Sequence, residues 1–459
     1  RREAARAGGR GCAEGGRGDE VRDGRTDRGR GDHVSCIAVT ATPTPYRPGA
    51  GPWALFSFER DGGDIDRMVV QLLTDSAEGF KAMTLPRKIG TLVLGLAVAI
   101  GTVGKYSPHL FMHLPFPFSI ILWDVTGNEM PPYFMKDAWA ENEIDSWTKD
   151  GDLVVATGAK SGTTFMLYCT HQIRTKGADA KDELWPDVSI TTPWPDLRHS
   201  RAGTWAEQKD RLNTTLVDGK KMSFFWDNPE YPMRIFKSHY GPPVLPVRKT
   251  SGKKIKYLAM ARNGVDVLAS FVPFYSSHTE EFRNLWGGFP PEVPTAEGMC
   301  DENCQTVKDL MPGGVMSHTY FEYIMSWWPY RDDPNVLFLH YSDVRKDLKG
   351  SVEKIAKFMD VSLTSAELKK VTKQCSLEHM KSVDKFGYLM PLNTDGAGLW
   401  DASKDTITTK GAMTVTGGVG TGKARFTDNV KEMWKKAEED KFGHDPKLLK
   451  WAREGGPFN

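Results

Sequence analysis

One junction constrains this chain more than any other feature. Five apolar or β-branched residues, Leu153–Thr157, run directly into Gly158-Ala159-Lys160-Ser161-Gly162-Thr163-Thr164, and the helix-compatible Phe165-Met166-Leu167-Tyr168 follows. A strand that turns through glycine into a helix aims several backbone N–H groups and the positive helix end at one point, which makes an anion site. Ser161, Thr163 and Thr164 add hydroxyl donors, and Lys160 adds a mobile charge. Here the lysine precedes Gly162, whereas the ATPase loop places it after the second glycine, so the turn is P-loop-like without being that loop. Alone, the same pattern also describes a tight loop with a capped helix.

Further along, residues 255–261 and Val336–His340 read as buried strands, each followed by a turn and a stretch with helical spacing. That alternation predicts an α/β fold: a single three-layer domain over residues 124–459, with a central parallel sheet flanked by helices. A shorter strand over 234–239 ends in Lys237-Ser238-His239. Arg262 follows the 255–261 strand at its C-terminal end, the edge where open α/β sheets bind ligands. Ser270 lies eight residues beyond it, in the next helix.

Charge decides how an anion is held. Lys and Arg number 60 against 59 Asp and Glu, a formal net charge of +1, so no nucleic-acid partner held by global basicity is expected. Any anion must be met by a local cluster. Six cysteines in 459 residues are too few for a disulfide scaffold. Cys300 and Cys304 lack a second pair, so no metal is expected.

Two leading segments differ from the rest. Residues 1–82 are read as a disordered leader absent from the working structure: the first 32 hold nine Arg, nine Gly and seven acidic residues, which cannot bury a core. Residues 83–123 resemble a signal or anchor, with Arg87-Lys88 preceding sixteen uncharged residues and then Lys105. As a helix those sixteen span roughly 24 Å, short of a ~30 Å hydrocarbon core. A single membrane anchor and an endomembrane or secretory location are expected ahead of a cytoplasmic one.

Taken in order, these segments resemble the cytosolic-type sulfotransferase family, which uses 3′-phosphoadenosine 5′-phosphosulfate (PAPS). Residues 159–165 match its Pro-Lys-Ser-Gly-Thr-Thr-Trp, Lys237-Ser238-His239 its Lys-Thr-His, and residues 261–270 its Ala-Arg-Asn-x-x-Asp-x-x-x-Ser. Residues 336–343 and 375–380 resemble two later motifs. The resemblance implies that Lys160, Ser161, Gly162, Thr163 and Thr164 hold the 5′-phosphosulfate, and that Arg262 and Ser270 hold the 3′-phosphate. Tyr341 and Ser376 would line the adenosine, with Phe165 in place of the family's stacking Trp. His239 would take the acceptor's proton, and Lys160 with Lys237 would stabilise the leaving nucleotide, 3′-phosphoadenosine 5′-phosphate (PAP), while Ser270 holds Lys160 back until substrate arrives. No metal is implied. The acceptor would be a small-molecule or carbohydrate hydroxyl, or an amine, and a homodimer is a further expectation.

The C-terminal motif departs from the family. Aligned on Phe426-Thr427, its Arg-Lys-Gly becomes Val415-Thr416-Gly417, so two cations are missing while Gly417, Gly420 and Lys423 match. That loss motivates a second reading, an inactive sulfotransferase-like binding or scaffold protein. A third is an NTPase or kinase, because residues 417–423 carry Gly-x-x-x-x-Gly-Lys, though Ala424 offers magnesium no hydroxyl.

Overall fold

The computed structural model describes residues 84–106, 118–125, 134–178, 184–197, 205–248, 253–276, 299–383, 386 and 418–458. They fall in one unit, Met83–Asn459. The leader expected over residues 1–82 lies outside the described residues, as do Val415, Thr416 and Gly417.

The uncharged run folds as helix α1 (Leu85–Tyr106), and Leu92, Val93, Leu94 and Leu96 on it are all exposed. Among the described residues no helix is long and apolar enough to cross a membrane, so the anchor expectation is left without a spanning helix. The physical reason is length: charge at both ends confines the apolar stretch to about four and a half turns.

Strand β1 (Leu153–Thr157) is buried along its whole length, as a strand covered on both faces must be. It leads into α2 (Thr163–Arg174), all twelve residues of which are buried. After α3 (Trp205–Thr214) comes β2 (Ile235–Ser238), then β3 (Lys256–Ala261) running into α4 (Gly264–Ser276). Strand β4 (Val336–His340) is followed by α5 (Leu348–Phe358), α6 (Ser365–Gln374), α7 (Asp428–Phe442) and α8 (Pro446–Glu454). The sheet is wholly parallel in the order β2-β1-β3-β4, with Ala156 opposite Ser238, Thr157 opposite Met260, and Ala261 opposite His340.

This order positions the site. The chain leaves β1 for β2 on one side and returns to β3 on the other, so the connections diverge at the C-terminal end of β1 and open a crevice there. All four strands end at that edge. The residues that follow them are therefore neighbours: the 158–162 turn, His239, Arg262 and Tyr341.

Two features brace the framework. Cys169 in α2 is disulfide-bonded to Cys375 just after α6, and Cys300 is bonded to Cys304. A cysteine count too low for a scaffold still left two staples, one joining residues 206 apart and one joining residues four apart. At the far end of the sheet, Arg234 donates through Nε to Asp152 Oδ1 at 2.9 Å and through Nη2 to the Trp147 carbonyl at 2.8 Å. Both side chains are buried, and burial raises the Asp152 carboxyl above its usual range against the pull of Arg234. Removing one partner from such a pair strands the other charge. Arg234→Ala is expected to lose about 3–5 kcal/mol in chemical denaturation, and Arg234→Met/Asp152→Leu to recover most of it. Equal losses in the two proteins would show that the cost lies in losing the pair itself and not in the stranded carboxylate.

Candidate active site

The phosphate turn is tightly folded. Gly158 donates its N–H to the Met260 carbonyl at 2.9 Å, and Ser161 donates to the Gly158 carbonyl at 3.1 Å. Thr157 and Thr163 hydroxyls meet at 2.6 Å across the strand–helix junction. Lys160 and Gly162 both lie in the left-handed region, with φ of 58° and 97°. That twist brings the chain round so that α2 starts at Thr163 with its N-terminus at the sheet edge. A Cβ on Gly162 would sit 2.8 Å from the Tyr341 ring, so glycine is required twice over. Gly162→Ala is expected to weaken PAP binding at least tenfold by calorimetry, the equivalent of about 1.4 kcal/mol, within the ~1–3 kcal/mol that a strained backbone costs. Unaltered affinity would mean that the turn does not touch the nucleotide.

Cations crowd around this turn. Lys160 Nζ lies 4.7 Å from the centre of the Phe274 ring, one helical turn beyond Ser270 on α4. Burial and the Arg262 charge push its ammonium down to about 7. Lys237, at the end of β2, is buried with Nζ 3.4 Å from the Trp194 ring centre, and burial holds it well below the usual lysine range. His239 follows it. Its Nδ1–H donates to the Thr157 carbonyl at 2.8 Å, which leaves Nε2 as the bare acceptor nitrogen. Burial first, then Lys237 and Lys160, push the imidazole down to about 3, so it is neutral.

Arg262 closes the other side. Its Nη1 donates to the Lys160 carbonyl at 3.3 Å and its Nη2 to the Gly418 carbonyl at 2.9 Å. The guanidinium lies 4.9 Å over the Tyr341 ring and 3.8 Å from Asp266, while its Nε is buried without a partner. Asp266 was quoted in the sequence motif without a role. Its carboxylate accepts the N–H groups of Gly420 and Gly422, each at 2.8 Å. Those two donors are therefore committed to Asp266 and are not free for a phosphate.

The adenosine-side expectations are placed less directly. Phe165 stands edge-on to Tyr341 at 6.3 Å, beside the turn. Ser376 caps a short helix by accepting the His379 N–H at 3.1 Å, next to the Cys375 link to α2. Gly417 lies outside the described residues. Sequence reasoning missed Asp196, whose buried carboxylate accepts from the Ser238 hydroxyl at 3.1 Å. Nothing in local spacing ties it to a strand some forty residues away.

The residues present suit an anionic nucleotide: an unpartnered guanidinium N–H, two desolvated ammonium groups and a twisted phosphate turn meet at one sheet edge. Fold and site together define a class, an α/β protein with a cation-lined crevice at the switch point of a parallel sheet. Residues 150–412 match the family described as the sulfotransferase domain, and the chain belongs to that family. Among the relatives, Sulfotransferase 2A6 of Mus musculus is 25% identical over 324 residues, 69% of this chain and 95% of that protein. Sulfotransferase 2A1 of Rattus norvegicus is 27% identical over 304 residues, 66% of this chain and 89% of its own length. A crystal structure of mouse sulfotransferase SULT7A1 complexed with PAP is 18% identical with a TM-score of 0.45, covering 69% of this chain and 93% of that one.

Proposed function

We propose that the protein transfers a sulfuryl group from PAPS to a hydroxyl or amine of a small-molecule or carbohydrate acceptor. The observation that carries this reading is the convergence of Lys160, Lys237 and Arg262 on one crevice beside a neutral His239 whose Nε2 is bare. When bound, PAPS supplies the activated sulfuryl group and, as PAP, the anionic leaving group.

Each residue's part follows from its surroundings. His239 Nε2 takes the acceptor's proton, while the Nδ1–H bond to Thr157 fixes the tautomer and ring plane. Its basicity in the free protein is suppressed partly by Lys237 and Lys160, so an anion that neutralises those charges raises it toward the working range. Lys160, whose ammonium is desolvated beside the phosphate turn, stabilises charge growing on the bridging oxygen. Ser161, Thr163, Thr164 and the turn's N–H groups hold the 5′-phosphosulfate. Arg262 and Ser270 hold the 3′-phosphate, and Phe165, Tyr341 and Ser376 border the adenosine. Nothing in these steps calls for a metal.

The scaffold reading keeps one motive, the absent Arg-Lys pair at Val415 and Thr416. Incubation with labelled PAPS across alcohols, phenols, sterols, sugars and amines separates the two. Transfer of the label to at least one acceptor is the expected result; PAP binding without transfer to any of them supports the scaffold. We also propose an endomembrane location, which rests on Arg87-Lys88 preceding the uncharged run of α1. Co-fractionation of the full chain with membranes, lost on deletion of residues 83–106, is the expected outcome.

A further inference from the structure

Strand β2 lies at the edge of the sheet, and its outer side is covered by residues 193–197. Lys237 donates its backbone N–H to the Pro193 carbonyl at 2.8 Å. The Trp194 ring then stands against both Lys237 Nζ, at 3.4 Å, and the His239 ring, at 5.0 Å. Asp196 follows, fully buried, its Oδ2 accepting from Ser238 Oγ at 3.1 Å. Ser238 Oγ accepts in turn from the Tyr240 N–H at 3.0 Å, and the His239 backbone N–H also points to the Asp196 carboxyl. The segment is itself held in place, because the Asp196 carbonyl accepts from Met135 N at 2.8 Å and Leu197 bridges to Phe134. Hydrogen bonds of this kind need only an acceptor, which an amide could supply. A carboxylate in the interior costs several kcal/mol unless its charge is used.

We propose that Asp196 is a positioning residue for the transfer reaction, acting on the reacting groups through Ser238, the His239 backbone and the charge of Lys237. The inference rests on the sulfuryl-transfer reading above. Among the described residues, Asp196, Lys160, Asp187 and His239 act on Lys237 or are acted on by it. Lys160 comes from the phosphate turn, His239 from the residue that follows β2, Asp187 from the turn before the short helix Val188–Thr191, and Asp196 from the covering segment. Of the two carboxylates, Asp187 spends Oδ1 on capping that helix through Ser189, at 2.9 Å to its N–H and 2.7 Å to its hydroxyl. Asp196 is tied instead to Ser238 and the His239 backbone, and of the two carboxylates it acts more strongly on the Lys237 ammonium. Its negative charge therefore offsets the pull of burial and of Lys160 on the Lys237 proton. Burial lifts Asp196 itself to about 7, the cost of placing that charge where it acts.

The test is kcat against pH at saturating PAPS and acceptor, with PAP affinity measured alongside, for the full chain carrying Asp196→Asn, Asp196→Glu or Ser238→Ala. Asp196→Asn keeps an oxygen for Ser238 and His239 but removes the charge, so Lys237 loses its proton at lower pH. Its alkaline limb should move down by about one unit or more, as expected for losing a nearby opposite charge. At neutral pH kcat should fall about tenfold for such a shift, with PAP affinity unchanged. Asp196→Glu and Ser238→Ala should keep the limb in place. A wild-type profile for Asp196→Asn, or parallel losses in kcat and PAP affinity, overturns the proposal. If Asp196→Asn does not fold, Asp196→Glu decides, since the limb moving despite a retained charge has the same force. Wild-type turnover with an indifferent Asp196→Asn removes this proposal alone, whereas no turnover in wild type removes the transfer reading beneath it.

Discussion

His239→Ala will reduce kcat by about 10²–10⁴-fold, the range in which a positioned general base contributes, while PAP affinity stays at the wild-type value. The separation is geometric. The His239 ring meets the Thr157 carbonyl and the Trp194 ring, neither of which is assigned to the phosphates. A calorimetric titration of PAP, paired with single-turnover rates, distinguishes loss of the base from loss of the donor site. Wild-type turnover in the variant would take the base role from His239. A second readout needs no substrate. The folded imidazole titrates near 3, below the ~6.5 of an unfolded chain, so between those values the unfolded state binds the extra proton. Stability therefore falls as pH drops through this window. The alanine variant should show a shallower fall, by the uptake of up to about one proton, in denaturation midpoints collected between pH 4 and 7.

How far the sequence reached depends on whether a feature is local. Leu153–Thr157 was legible to the residue because an apolar run meets glycine at one end and Asp152 at the other. The strand expected over 234–239 is shorter, Ile235–Ser238: the Arg234 side chain turns back to the buried Asp152, and the chain leaves the sheet at His239. Lys160, His239 and Arg262 each follow a strand and Lys237 lies near the end of one, so a parallel order brings to one edge the residues that the family resemblance named. Asp196 was not nameable, since it reaches Ser238 across an edge that only the folded sheet defines. The Cys169–Cys375 link, 206 residues apart, has no signature in spacing. Asp266 lay inside a recognised motif, yet its use, fastening Gly420 and Gly422, is visible only when the C-terminal segment returns to α4.

That return sets the second large effect. Arg262→Ala should erase discrimination between PAP and adenosine 5′-phosphate, which differ only by the 3′-phosphate. Charge-assisted bonds to a phosphate are worth ~1.5–3 kcal/mol each, so PAP should bind about 10–150-fold more weakly, and adenosine 5′-phosphate almost as before. The chain makes this dependence unusually sharp, because Val415 and Thr416 stand where the family carries Arg and Lys. Arg262 also serves as a strut between the Lys160 and Gly418 carbonyls, and its loss leaves Asp266 buried beside nothing positive from β3. The comparison of two nucleotides guards against that complication: a collapsed strut weakens both, a lost phosphate contact only one. Arg262→Lys refines it further. A lysine keeps the charge but not the planar fork, so it should restore part of the discrimination while giving up one of the two carbonyl contacts. Equal weakening of PAP and adenosine 5′-phosphate in Arg262→Ala would assign the guanidinium to holding the C-terminal segment, and move recognition of the 3′-phosphate to the backbone beyond Gly418.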